Sequence, residues 1–175
     1  YLPKLSHPDP SVDRRSGFLP PSFSNTKNLG EGISIPYFFD IAKNKNFTIT
    51  NRIYGSENPL FFGEYHQALK DSSLIADFGF TEGYKKTNSS KKGGDKSHFF
   101  AKYIKNFTSK KNSENNLSIS FQDVSNDKYL KLYKIKSNLV DYNIDTLESS
   151  INFTHQSDDM FLGIGGVVYE TMKKD

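Results

Sequence analysis

Cysteine and tryptophan are both absent from this chain of 175 residues. Without cysteine the segment forms neither a disulfide nor a thiolate metal site, although this leaves the compartment open, since many exported proteins also lack cysteine. No run of about 18 apolar residues occurs, which excludes a transmembrane helix. Charge of one sign is also scarce: Lys+Arg 23 against Asp+Glu 20 gives a net charge of +3. The lysines are scattered through turns and strand ends instead of lining a helical face, so no nucleic-acid partner is expected. His7, His66, His98 and His155 lack the i, i+4 spacing of a helical metal pair, and no metal site is signalled. Nothing such as G-x-S-x-G positions a nucleophile, so the chain is not expected to be an enzyme and no cofactor is implied. Gly163-Ile164-Gly165-Gly166 has the glycines of a phosphate loop, but it lies in an alternating stretch with no helix after it and reads as strand glycine. Nothing resembles a signal peptide. The opening YLPKLSHPDP reads as mid-protein sequence, and the chain is expected to be part of a longer one.

What is present is aromatic. Hydrophobic residues make up 35% of the chain, and Phe 15 and Tyr 10 concentrate that apolar material in ring side chains, which favour strands. Alternation recurs throughout. Ile33, Ile35, Tyr37, Phe39 and Ile41 share one face of a first predicted strand, opposite Ser34, Pro36, Phe38 and Asp40. After a turn at Ala42 to Lys45, Phe47, Ile49 and Ile53 oppose Thr48, Thr50 and Arg52, and Gly55-Ser56-Glu57-Asn58 turns the chain again. Further strands are expected over Leu60 to Leu69, Leu74 to Thr81, Ser97 to Phe107 and Leu117 to Gln122, then over Leu147 to Thr154 and Met160 to Val168. The segment Tyr129 to Ile135 fits a short strand or a helical turn, with strand favoured. The count comes to about eight or nine antiparallel strands.

Two architectures fit this pattern. In a soluble or surface-exposed β-sandwich, such as a carbohydrate-binding module, the polar face meets water and two apolar faces meet each other; on pattern alone this is the commoner outcome. In a transmembrane barrel the apolar face meets lipid. Strands of about 9 to 11 residues, the length of a tilted bilayer crossing, favour the barrel. So do Tyr54, Tyr65, Tyr84 and Tyr103 near strand ends, where an interfacial girdle would lie, while the absence of tryptophan weakens that point. A porin-like channel is a third possibility.

The run Arg14-Arg15-Ser16-Gly17-Phe18-Leu19-Pro20, followed by Ile35-Pro36-Tyr37-Phe38-Phe39-Asp40-Ile41, resembles the junction between periplasmic domain and membrane barrel in the LPS-assembly protein LptD family, the organic solvent tolerance proteins. The resemblance is densest from Tyr1 to Leu69 and looser beyond. It implies an all-β fold: residues 1–30 as the end of a periplasmic β-jellyroll and a linker, and residues 31–175 as the N-terminal strands of a partial outer-membrane barrel. The implied function is lipopolysaccharide transport and insertion into the outer leaflet of the cell outer membrane. Implied partners are lipopolysaccharide, membrane lipid, an LptE-like lipoprotein plug and an LptA-like periplasmic bridge. Pro36 and Tyr37 are the lateral-gate candidates, because a strand proline omits a ladder hydrogen bond and weakens a seam between first and last strands. A second family proline is expected in the next strand, where this chain has Asn51. Arg14 and Arg15 are candidate contacts for lipopolysaccharide phosphates. Lys85, Lys86, Lys91, Lys92, Lys110 and Lys111 are weaker candidates that read more simply as solvated loop residues.

Overall fold

A computed structural model describes residues 14–89, 91–108 and 112–172. The expected jellyroll end within residues 1–13, and Lys110 and Lys111, lie outside the described residues. Alternating sequences become strands here because a period of two can bury or expose one whole face at once. Ten strands result among the described residues: β1 (Gly17–Phe18), β2 (Ser22–Thr26), β3 (Gly30–Ala42), β4 (Lys45–Tyr54), β5 (Leu60–Ala68), β6 (Ser72–Thr81), β7 (Lys96–Phe107), β8 (Glu114–Val124), β9 (Thr146–Gln156) and β10 (Phe161–Thr171). One five-residue helix, α1 (Tyr129–Tyr133), interrupts them. Every described pairing is antiparallel, and from β3 to β10 each strand lies beside its successor in sequence. The sheet is open, ending at β1 and β2 on one side and β10 on the other.

The pairing register sorts the side chains. Phe39↔Phe47, Phe47↔Tyr65, Gly63↔Phe78, Phe78↔Phe99, Ala101↔Phe121 and Ile119↔Ile151 run across one face. Thr50↔Phe62, Glu64↔Asp77, Lys102↔Ser120 and Ser118↔Asn152 run across the other. The apolar face is the exposed one: Phe39, Phe61, Phe78, Phe80, Phe99, Phe121 and Ile151 all lie open. Gly63 keeps that face flat under its rings, because a Cβ there would sit 2.6 Å from Cζ of Phe78, which stacks on Phe47 at 6.1 Å.

The core lies on the polar face. The connections after β3, β5, β7 and β9 leave one end of the sheet, the short-turn end, while those after β2, β4, β6 and β8 leave the other, the long-loop end, which carries the long stretch 125–145. That stretch folds back over the sheet, burying Tyr129, Leu130, Tyr133, Ile135 and Val140 against Leu60, Phe62 and Phe100. Here the expected strand over Tyr129 to Ile135 is corrected. Tyr129, Leu130 and Tyr133, at i, i+1 and i+4, are the residues buried, a spacing only a helix puts on one side. Lys134 ends the helix in a left-handed conformation at φ 47°, donating its N–H to carbonyls of Leu130 and Lys131.

The sheet also starts earlier than expected. Gly17↔Phe38, Phe18↔Tyr37 and Ser22↔Ser34 pair a segment read as linker with β3. The strand carrying Pro36 is therefore the second member of a long hairpin, and the broken strand β1/β2 is its first.

Candidate functional site

The seam between β1/β2 and β3 has an irregular ladder. Between the pairs Phe18↔Tyr37 and Ser22↔Ser34, three residues of the first strand, Leu19, Pro20 and Pro21, stand against two of the second, Ile35 and Pro36. This is a bulge carrying two prolines. Leu19 N–H donates to the Pro36 carbonyl at 2.9 Å. A regular antiparallel pair would return the bond from N of Pro36 to the carbonyl of Leu19. Proline has no such donor. N–H and C=O of one strand residue point to the same side, so the missing donor faces the first strand and not β4. Asn51, where the family pattern has a second proline, pairs with Ile35, and Pro20 and Pro21 lie between β1 and β2 on the far side of the seam from Pro36.

Side chains grip this seam on both faces. On the apolar face Tyr37 meets Phe18 edge-on with ring centroids 4.9 Å apart, and Phe39 lies 4.6 Å further along. On the polar face Arg14 sits 5.3 Å above the Phe38 ring, with Nη2 3.8 Å from Oδ1 of Asp40 and Nη1 3.5 Å from the Lys43 carbonyl. Asp40 N–H donates to Oγ of Ser16 at 2.9 Å. Of the four residues singled out in the sequence, the structure thus brings Pro36, Tyr37 and Arg14 to one seam. Arg15 is exposed beside them.

The lysines diverge. Lys91 is engaged by Oε1 of Glu57 at 3.0 Å and the Asn28 carbonyl at 3.1 Å, and its ammonium lies 4.9 Å from the Tyr84 ring. It ties three connections of the long-loop end together. Lys85 uses its backbone N–H on the other oxygen of Glu57, while the side chains of Lys85, Lys86 and Lys92 are exposed.

A second feature escaped sequence reasoning. The loop 125–145 is fastened to the polar face by Arg52, whose Nη1 donates to the Tyr133 carbonyl at 2.9 Å, and by the His98 Nδ1 to Tyr129 hydroxyl contact at 3.1 Å. Gly79 opens the space for that contact: a Cβ there would lie 2.6 Å from Cε1 of His98 and 2.7 Å from the Tyr129 oxygen. Burial raises the Tyr129 phenol well above its usual range and pushes Tyr133 up to about 12. Spacing alone had tested His98 only as a metal ligand. Its pairing with Tyr129 follows from a loop folding inward.

No family model matches the chain. Curated sequences do. It is 38% identical over 91 residues to the LPS-assembly protein LptD of Francisella tularensis subsp. novicida, covering 47% of this chain and 10% of that one. It is 44% identical over 66 residues to that of Nitrosococcus oceani, covering 37% and 8%. With that of Burkholderia ambifaria identity reaches 54% over 43 residues, covering 25% and 6%. These matches support an LptD-family fragment. The chain spans a tenth or less of the length of these LptD relatives. Its open, all-antiparallel sheet fits a partial barrel.

Proposed function

We propose that this chain supplies the opening strands of an outer-membrane barrel that assembles lipopolysaccharide, and that the β1/β2–β3 seam belongs to its lateral exit. The observation that carries the reading is the inverted distribution of polarity: the apolar face is uncovered and the core lies on the polar face. A soluble sandwich buries its apolar face against a second sheet, so this arrangement supports a lipid-facing wall over the carbohydrate-binding alternative. The described strands from β3 onward run from 9 to 13 residues, the span of a tilted crossing.

Sidedness follows from loop length. Barrels of this kind keep short turns on the periplasmic side and long loops outside. The hairpin at Ala42 to Lys45 is then periplasmic, β1/β2 runs outward from a periplasmic N-terminal portion, and loop 125–145 folds into the lumen from outside. The hydrophilic face suits passage of sugars and contact with an LptE-like plug; an LptA-like bridge would deliver lipopolysaccharide from the periplasm. A seam short of hydrogen-bond donors lets acyl chains leave sideways into the bilayer. Each omitted backbone bond removes about 0.5 to 1.5 kcal/mol of net pairing, enough to bias an opening without abolishing the sheet. Arg15, exposed near the short-turn end, is available to lipopolysaccharide phosphate, whereas Arg14 is occupied by Asp40 and Phe38.

Photocrosslinking in the full-length protein tests this. A photoreactive residue at Tyr37 or Pro36 is expected to give lipopolysaccharide adducts that appear only while lipopolysaccharide is being delivered, and one at Ser24 to reach the barrel's last strand. Absence of adducts in correctly assembled protein would reduce Pro36 to an ordinary bulge proline.

A further inference from the structure

The β1/β2–β3 seam raises a question that backbone pairing does not answer: what keeps the first strand in place where its ladder fails. Only two residue pairs join β1 to β3, and the bulge at Leu19-Pro20-Pro21 follows at once. Below Gly17 the chain continues alongside β3 through side chains. Ser16 accepts the Asp40 N–H, and Arg14 reaches past it to Phe38, Asp40 and the Lys43 carbonyl. Oδ1 of Asp40 is sealed from solvent and accepts no hydrogen bond from the described residues. The Arg14 guanidinium lies 3.8 Å from it, so lifting the first strand away would take this cation from that oxygen.

We propose that Arg14 and Asp40 form a clasp that holds the first strand onto the second and sets how readily the seam parts. Both are positioning residues, acting through the strand and not on lipid. The guanidinium lies over the Phe38 ring and beside the carboxylate at once; an ammonium, a compact point charge without a planar face or fork, serves the two together less well. The clasp lies on the polar face at the short-turn end. Phe18 and Tyr37 close the apolar face of the same pair of strands, so parting the seam breaks an ion pair on one side and a ring contact on the other. The inference rests on the exit reading for its functional meaning, but its physical content is the strength of one seam.

The test uses the full-length protein in lipid, with nitroxides at Ser22→Cys and Ser34→Cys, a registered pair, in a background otherwise free of cysteine. Dipolar broadening then reports the closed seam. Arg14→Gln and Asp40→Asn are each expected to lower the closed-to-open ratio by about threefold. The charge swap Arg14→Asp with Asp40→Arg should recover most of that loss, while Arg14→Lys should recover only part. Unchanged broadening in both single variants, or a swap no better than either, overturns the clasp. Heat-modifiable gel mobility verifies that each variant is folded. Oxidising the unlabelled Ser22→Cys, Ser34→Cys variant with an added oxidant joins the two thiols in a disulfide and separates the two ideas: lipopolysaccharide delivery that continues through a locked seam refutes the exit reading and leaves the clasp standing.

Discussion

Replacing Pro36 with valine should strengthen one seam and leave its neighbour alone. Pro36 already accepts a bond from Leu19, so the geometry for the reciprocal bond is in place and only the donor is missing. Valine supplies an N–H and keeps a branched side chain suited to strands. One added backbone bond is worth about 0.5 to 1.5 kcal/mol, which corresponds to a two- to twelvefold shift in the ratio of paired to parted seam. Hydrogen exchange on the full-length protein in lipid, followed by mass spectrometry, reads this directly. Exchange in the peptide covering Ser22 to Thr26 should slow by that factor, while the peptide covering Asn46 to Ile53 on β4 should not change. Slowing on the β4 side would mean that the Pro36 donor position faces β4, contrary to the direction of its carbonyl. No slowing on either side would mean that the bulge, and not the absent donor, governs the seam.

Three further outcomes are expected. Phe78→Arg on the exposed apolar face should cost the assembled barrel about 2 to 4 kcal/mol if that position lies near the bilayer midplane, whereas Ser120→Arg on the polar face should be tolerated; heat-modifiable mobility in membranes compares them. Gly79→Ala should expel Tyr129 from its site beside His98 at a cost of about 1 to 3 kcal/mol, seen as faster proteolysis within loop 125–145. The same loop should loosen in alkali. Tyr133 keeps its proton up to about 12 when buried, against 10.0 when free. The released loop therefore loses its proton first, so closure is fully favoured below pH 10 and weakens from there to about 12. Proteolysis that is flat across that interval would show that Tyr133 is not buried.

Alternation was enough to define most of the sheet. Ile33 to Ile41, Phe47 to Ile53 and Leu117 to Gln122 each carry a period of two long enough to specify strand and facing together, and β3, β4 and β8 contain them. Pro36, Tyr37 and Arg14 were also recognisable as residues of interest. Their mutual arrangement was not. Two prolines after Gly17-Phe18-Leu19 look like a linker in a linear reading, because neither can donate to a ladder and nothing local shows that a partner strand waits beyond the turn. That reading made the strand of Pro36 the first of the sheet, whereas β1/β2 precedes it and occupies the side away from β4.

Tyr129 to Tyr133 was ambiguous for a related reason. Seven residues cannot separate a period of two from one of 3.6, and the choice fell to the sheet, which offered Leu60, Phe62 and Phe100 as a surface for Tyr129, Leu130 and Tyr133. Local sequence thus determined strand identity and which side chains share a face, since those depend only on neighbours along the chain. Tertiary structure alone decided which face is covered, where loop 125–145 lies and which way the Pro36 gap points, since each depends on contacts between residues tens of positions apart.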